Sequence, residues 1–119
     1  MPTLMAKAQT PPARLTRRAE FLRLAARGQK IAKHGFVLQA AKGGVADVLR
    51  VGYTATKKIG NAVTRNRAKR RLREAARLVL AGQAMPGVEL VLIARRETGD
   101  IEFSRLKQNL AKALDEALA

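Results

Sequence analysis

The chain contains no cysteine and one histidine, His34. Disulfides, thiolate metal sites and cysteine nucleophiles are thereby excluded, and two-histidine chemistry with them. Tryptophan is absent, and the aromatics number four: Phe21, Phe36, Tyr53 and Phe103. That is too few for the stacking sheet of an RRM-type module. Ser104 is the sole serine, at an expected helix start far in sequence from His34, so a Ser–His pairing has little basis. No uncharged apolar run approaches the ~18 residues of a membrane span. Acids are scarce where bases are dense. Residues 1–77 hold 19 Lys and Arg against 3 Asp and Glu; residues 78–119 hold 5 against 6. The whole excess of +15 therefore lies in the first two thirds of a 119-residue chain. Such self-repulsion calls for a polyanion, and nucleic acid is the obvious one.

The length suits one domain, and 47% apolar residues suffice for one core. Residues 1–13 carry Pro2, Pro11 and Pro12 without apolar periodicity and read as a flexible basic tail; the domain is expected over 14–119. Thr16 can cap a helix over 17–27, stopped by Gly28. Residues 29–41 read as extended, with Phe36, Leu38 and Ala40 alternating against Val37, Gln39 and Ala41. Gly43-Gly44 marks a turn. Residues 48–56 form the next strand, with Leu49, Val51, Tyr53 and Ala55 on a core side and Arg50, Gly52, Thr54 and Thr56 on an open side.

Asn61 is an N-cap for a helix reaching about Leu80. Ala68, Leu72, Ala75, Ala76 and Val79 form its apolar stripe, while Arg67, Lys69, Arg70, Arg71, Arg73 and Arg77 fill the rest of its circumference. One face is expected to pack and the other to bind. Residues 88–94 are almost wholly apolar, a buried strand. Ser104 can cap a last helix with Leu106, Leu110, Leu114 and Leu118 at i+4 steps. The result is a single α+β layer pair.

The segment 57–73 holds eight basic residues and no acid. Eight cations at one site predict a steep salt dependence, of order six to ten phosphate contacts. The acids elsewhere are dispersed, with no zinc spacing and no metal cage. Gly82 and Gly87 have the spacing of a phosphate loop, but Val88-Glu89 stands where its Lys-Ser/Thr belongs. A membrane-surface helix would need a bulky apolar face in place of an alanine-rich stripe.

From Lys57 to Glu74 the sequence reads KKIGNAVTRNRAKRRLRE. This closely resembles the signature of the bacterial ribonuclease P protein family, with Arg65-Asn66-Arg67 as its RNR motif. The blocks at 14–21, 36–38, 50–52 and 91–95 resemble the family's others, in order, so that the likeness covers about residues 14–118. It implies an α-β-β-β-α-β-α domain with a central four-stranded sheet and a left-handed βαβ crossover.

It also implies a function. The protein would join a catalytic RNA that holds the active-site Mg2+, and the pair would remove the 5′ leader from precursor tRNA in the cytoplasm. The protein alone would be a monomer without catalytic residues. Lys57, Lys58, Asn61, Arg65, Asn66, Arg67, Lys69, Arg70 and Arg73 would contact RNA. The leader would lie in a cleft between sheet and RNR helix, over Val37, Gln39, Thr54 and Thr56, with Phe21 on one wall. The opposite wall would hold Asn66, Lys69 and Arg73. Two positions depart from the family's pattern: Gln39 and Ala25 stand where aromatics are common. Without them the leader contacts should be weaker or more polar, since stacking adds about 1–3 kcal/mol per base. Another RNA-binding protein of the same fold type, ribosomal or chaperone, would explain the charge but not the RNR block.

Overall fold

A computed structural model describes residues 13–14, 18–42, 48–83 and 85–118. Its elements are β1 (Ala13–Arg14), α1 (Arg18–Arg27), β2 (Gln29–Lys33), β3 (Phe36–Ala41), β4 (Arg50–Thr54), α2 (Ala62–Leu80), β5 (Glu89–Ala94) and α3 (Phe103–Leu118). Single 3-10 turns at Lys57–Ile59 and Arg96–Gly99 precede α2 and α3. Residues 1–12 of the expected tail, the cap at Thr16 and the turn at Gly43-Gly44 lie outside the described residues.

The strands form one mixed sheet in the order β1-β4-β5-β3-β2. Four are full strands. The two-residue β1 adds a fifth, which the sequence did not announce, pairing parallel with Arg50 and Val51 of β4. β2 and β3 are an antiparallel hairpin. Gly35 makes its turn possible, with a φ of +105° that side-chain-bearing residues rarely adopt, and with the Leu106 and Ile101 methyls close beside it. This turn divides the extended segment expected over 29–41. β4 and β5 are parallel neighbours joined through α2, the βαβ crossover. Gly28 closes α1: its N–H donates to Leu24 O at 2.7 Å. A Cβ there would lie 2.5 Å from the same oxygen, so only glycine fits.

Alternation decides the two faces of the sheet. Phe36, Leu38 and Ala40 of β3, Val51 of β4, and Leu90, Leu92 and Ala94 of β5 point to one side. There they meet Ala68, Leu72, Ala75, Ala76 and Leu80 of α2, and Leu106, Leu110, Ala113 and Leu114 of α3. Val79, Leu118 and Tyr53 pack at the margin of this core. The opposite face has a much smaller cluster. Leu24 of α1 covers Val91, with Phe21, Ala41 and Ile93 around them.

One boundary differs from the expectation. α3 begins at Phe103, so Ser104 lies inside its first turn rather than capping it. The first intrahelical acceptor is the Glu102 carbonyl, which Leu106 N reaches at 3.0 Å. The Ser104 hydroxyl donates instead to the Glu102 carboxylate.

Candidate nucleic-acid interface

The basic helix begins at a sharp change of direction. Thr56 and the exposed Lys57 and Lys58 lead through a 3-10 turn to Gly60, whose φ of +144° favours glycine. Asn61 then caps α2 as its sequence suggests: its Oδ1 accepts the Thr64 N–H at 2.9 Å. That oxygen serves the fold, whatever else the exposed side chain meets.

Positions four apart share one row on a helix. Arg65, Lys69 and Arg73 form a row toward β4, where the Arg73 guanidinium lies 5.6 Å from the Tyr53 ring centroid. Arg65 and Lys69 are half-buried. The Arg65 Nε is sealed from solvent without a hydrogen-bond partner among the described residues. Asn66 and Arg70 are exposed on the outer side, beside Val63, which is 76% exposed. Arg67 and Arg71 form a second row, on the flank away from β4.

Two of the helix's arginines differ from the even basic circumference expected. Arg71 is half-buried and donates to the carbonyls of Thr98 at 3.1 Å and Ile101. Arg77 is held by Glu74 through two hydrogen bonds. The hydrogen bond from Arg77 lowers the Glu74 carboxyl pKa from its ordinary value, outweighing an opposing effect of desolvation, and the Arg77 charge adds to the lowering. The same bond raises the Arg77 guanidinium. Sequence separation hid the Arg71 contacts, while Glu74 and Arg77 at i, i+3 were a readable pair.

The other face of the sheet carries the positions expected to floor a cleft. Val37 of β3 and Thr54 of β4 both pair with Ile93 of β5, giving one half-exposed row across three strands. Ile93 belongs to this row and was absent from the expected floor, although the alternation of 88–94 places it there. Gln39 and Gly52 both pair with Val91 in the next row. That row lies under α1, and Gln39 is only 6% exposed. Phe21 is half-buried on α1 beside it, and Thr56 is exposed just past β4. The Arg50–Glu89 ion pair closes this face, its atoms 3.3 Å apart, with the Glu89 side chain 3% exposed. A buried carboxylate needs such a partner.

The basic helix does not lie over this face. Its alanine-rich stripe is buried against the opposite one. The open face is therefore bounded by α1 and by the edge of β4, where the Arg73 row meets Tyr53. The expected cleft between sheet and helix is corrected in this respect: tight packing of α2 on the core side leaves no room between them. Among the described residues, no group of three or more His, Asp or Glu is placed to hold a metal ion.

A mixed sheet, flanked on one side by a helix that carries cations and no acid from its preceding turn to Arg73 and partly open on the other, defines an α+β domain with one strongly cationic surface. Its family follows from comparison with known proteins. The sequence model of the Ribonuclease P family matches residues 10–118. The chain is 49% identical over 104 residues to the ribonuclease P protein component of Gluconacetobacter diazotrophicus, covering 87% of this chain and 90% of that one. It is 50% identical over 105 residues to that of Paramagnetospirillum magneticum, covering 85% and 79%. The fold resembles the RNase P protein of Staphylococcus aureus, with a TM-score of 0.73, 29% identity, and 87% and 94% of the two chains covered. It also resembles that of Thermotoga maritima, with a TM-score of 0.70, 29% identity, and 87% and 96% covered. The chain belongs to the ribonuclease P protein component family.

Proposed function

We propose that the chain is the protein subunit of a ribonuclease P in which a catalytic RNA, with its Mg2+, performs the cleavage. The two together remove the 5′ leader of precursor tRNA. The observation that carries this reading is the acid-free run of cations over 57–73, along the turn before α2 and its first three turns, set at the edge of the open sheet face. Lys57, Lys58, Asn61, Arg65, Asn66, Arg67, Lys69, Arg70 and Arg73 supply the cations and amides for the catalytic RNA. Phosphate contacts of this kind release counterions and give affinity without reading sequence.

The single-stranded leader lies on the row Val37, Ile93 and Thr54, between Phe21 and the β4 edge. Thr56 is at its end, and Gln39 reaches it only at the margin of α1. Half-exposed aliphatic and hydroxyl groups suit sugar and base edges of any sequence. The Arg65–Lys69–Arg73 row at the β4 edge draws the leader phosphates. Mature tRNA lacks a leader, so these contacts favour precursor over product. Bringing two RNAs together is otherwise opposed by their charge. Cations between them lower the Mg2+ concentration the reaction needs. The protein works in the cytoplasm, as a monomer until it meets the RNA. Among the described residues no helix is long and apolar enough to cross a membrane.

The test is cleavage of a precursor tRNA bearing a 5′ leader at near-physiological Mg2+. Protein alone, a bacterial ribonuclease P RNA alone, and both together are compared. Cleavage at the leader junction only with both present is the expected result. Cleavage by the protein alone would place the chemistry on the protein. Tight RNA binding without any rescue would point to a ribosomal or chaperone role.

A further inference from the structure

Six of the cationic side chains on α2 lie within Arg67–Arg77, and by sequence they look interchangeable. The structure separates one of them. Arg71 turns away from solvent, and its two terminal nitrogens donate to the Thr98 and Ile101 carbonyls. Its guanidinium carbon also lies 5.9 Å from the Phe103 ring centroid. Those carbonyls belong to the connection between β5 and α3, which is itself fixed to the rest of the molecule. The buried Thr98 hydroxyl donates to Gly35 O and accepts from Arg95 N at 2.7 Å. The Glu97 carboxylate accepts the Gly35 N–H at 3.1 Å. Asn109 of α3 donates to His34 O at 2.9 Å. Arg71 is thus the arm of α2 that grips a rigid knot of hairpin turn, connecting loop and α3.

The grip matters because the stripe beneath α2 is shallow. Three of its five buried residues, Ala68, Ala75 and Ala76, are alanines. Small side chains allow close approach but interdigitate little, so they resist rotation of the helix about its own axis weakly. Rotation would exchange which residues face β4, solvent and the far flank.

We propose that Arg71 is a positioning residue: it uses its charge inside the protein to set the rotational phase of α2, and so decides where the RNA-facing residues point. This rests on the reading of α2 as the RNA-binding helix. It goes beyond that reading by giving Arg71, which is not among its RNA contacts, a role in placing those that are.

The experiment compares Arg71→Lys, Arg71→Gln and Arg70→Gln with the wild type. Thermal melting and affinity for a bacterial ribonuclease P RNA across a salt series are measured for each. The absence of cysteine permits a third readout. A Val63→Cys background, at an exposed site, carries a tethered iron chelate that cleaves nearby RNA. Arg70→Gln should melt like the wild type and lower the slope of log affinity on log salt by about one. Arg71→Gln should melt lower and bind several-fold more weakly at unchanged slope.

Arg71→Lys is decisive. An ammonium keeps the charge but lacks the planar fork that spans two carbonyls. It should therefore melt lower, bind several-fold more weakly and move the chelate cleavage pattern. If Arg71→Gln fails to fold, these three readouts on Arg71→Lys stand alone. Wild-type affinity and pattern in Arg71→Lys, with a slope loss in Arg71→Gln where that variant folds, would make Arg71 a phosphate ligand. Lower melting with unchanged affinity and pattern would make it merely structural. Either result overturns the proposal while wild-type RNA binding stands. Absence of salt-sensitive RNA binding by the wild type would overturn the functional reading as well.

Discussion

Val37 and Leu38 are adjacent in β3 and face opposite ways. Leu38 is buried among α2 and α3, with Leu92 directly across the sheet. Val37 is half-exposed, with Ile93 across from it and, among the described residues, no helix fully above. The strand is equally apolar at both positions, so hydropathy alone does not separate them. What separates them is how many helices cover each face. Two long helices close one side, and the ten-residue α1 covers only part of the other. An incompletely covered apolar row is tolerated where a ligand can complete it.

The contrast can be broken most forcefully from the closed side. Leu72→Ala should cost about 2–5 kcal/mol in urea unfolding, because the side chain is fully buried and its neighbours cannot collapse around the void. Val37→Ala, on the open side, should cost about 1 kcal/mol or less, since water already reaches part of the methyl surface. Equal losses at the two positions would abolish the distinction between the faces.

RNA binding sharpens the same comparison. Arg67→Ala, exposed on α2, should leave unfolding within about 0.5 kcal/mol of the wild type. It should raise the Mg2+ midpoint of holoenzyme cleavage. An unshifted midpoint would remove Arg67 from the interface. Thr54→Val keeps the shape of the open row and removes a hydroxyl. Stability should stay within about 0.5 kcal/mol, while the preference for precursor over mature tRNA, read from competition binding, should narrow.

The smallest effect concerns pH. Burial tends to raise the Glu97 carboxyl. The Gly35 amide, its own amide, Arg95 and His34 outweigh it and hold the pKa below the ordinary value. A depressed carboxyl stabilises the fold above the unfolded pKa, and that contribution disappears as pH falls through the folded pKa. Glu97→Gln should therefore melt lower than wild type at neutral pH. The gap should close on acidification below the ordinary glutamate range, near ~4.3. A gap constant across that window would remove the carboxylate's charge from the account.

Much of this architecture is legible in the residues. The alternation in 36–41 and 50–54 assigns the faces correctly. The stripe of 68, 72, 75 and 76 assigns the buried side of α2, and Asn61 marks its start. These are local, periodic signals. What escaped is non-local. The pairing of Ala13–Arg14 with β4 rests on two residues without a pattern of their own. Burial of Gln39 depends on where α1 lands. Arg71 looks like its neighbours until the loop it grips, some thirty residues later in the chain, is brought beside it. The side of the sheet taken by α2 was likewise invisible, because alternation defines two faces without saying which helix covers which.

The parallel pairing of β4 with β5 has a kinetic consequence. No tight turn can join parallel neighbours, so their register is reached only after the chain has travelled through α2 and back. The loop that must close contains most of the crowded cations, and its closure entropy is met before the strands repay it. The same helix that later attracts a polyanion thus lies inside the loop that must close before β4 and β5 can pair. Salt, or the RNA itself, should speed refolding by screening that loop, while leaving the purely local β2–β3 hairpin indifferent.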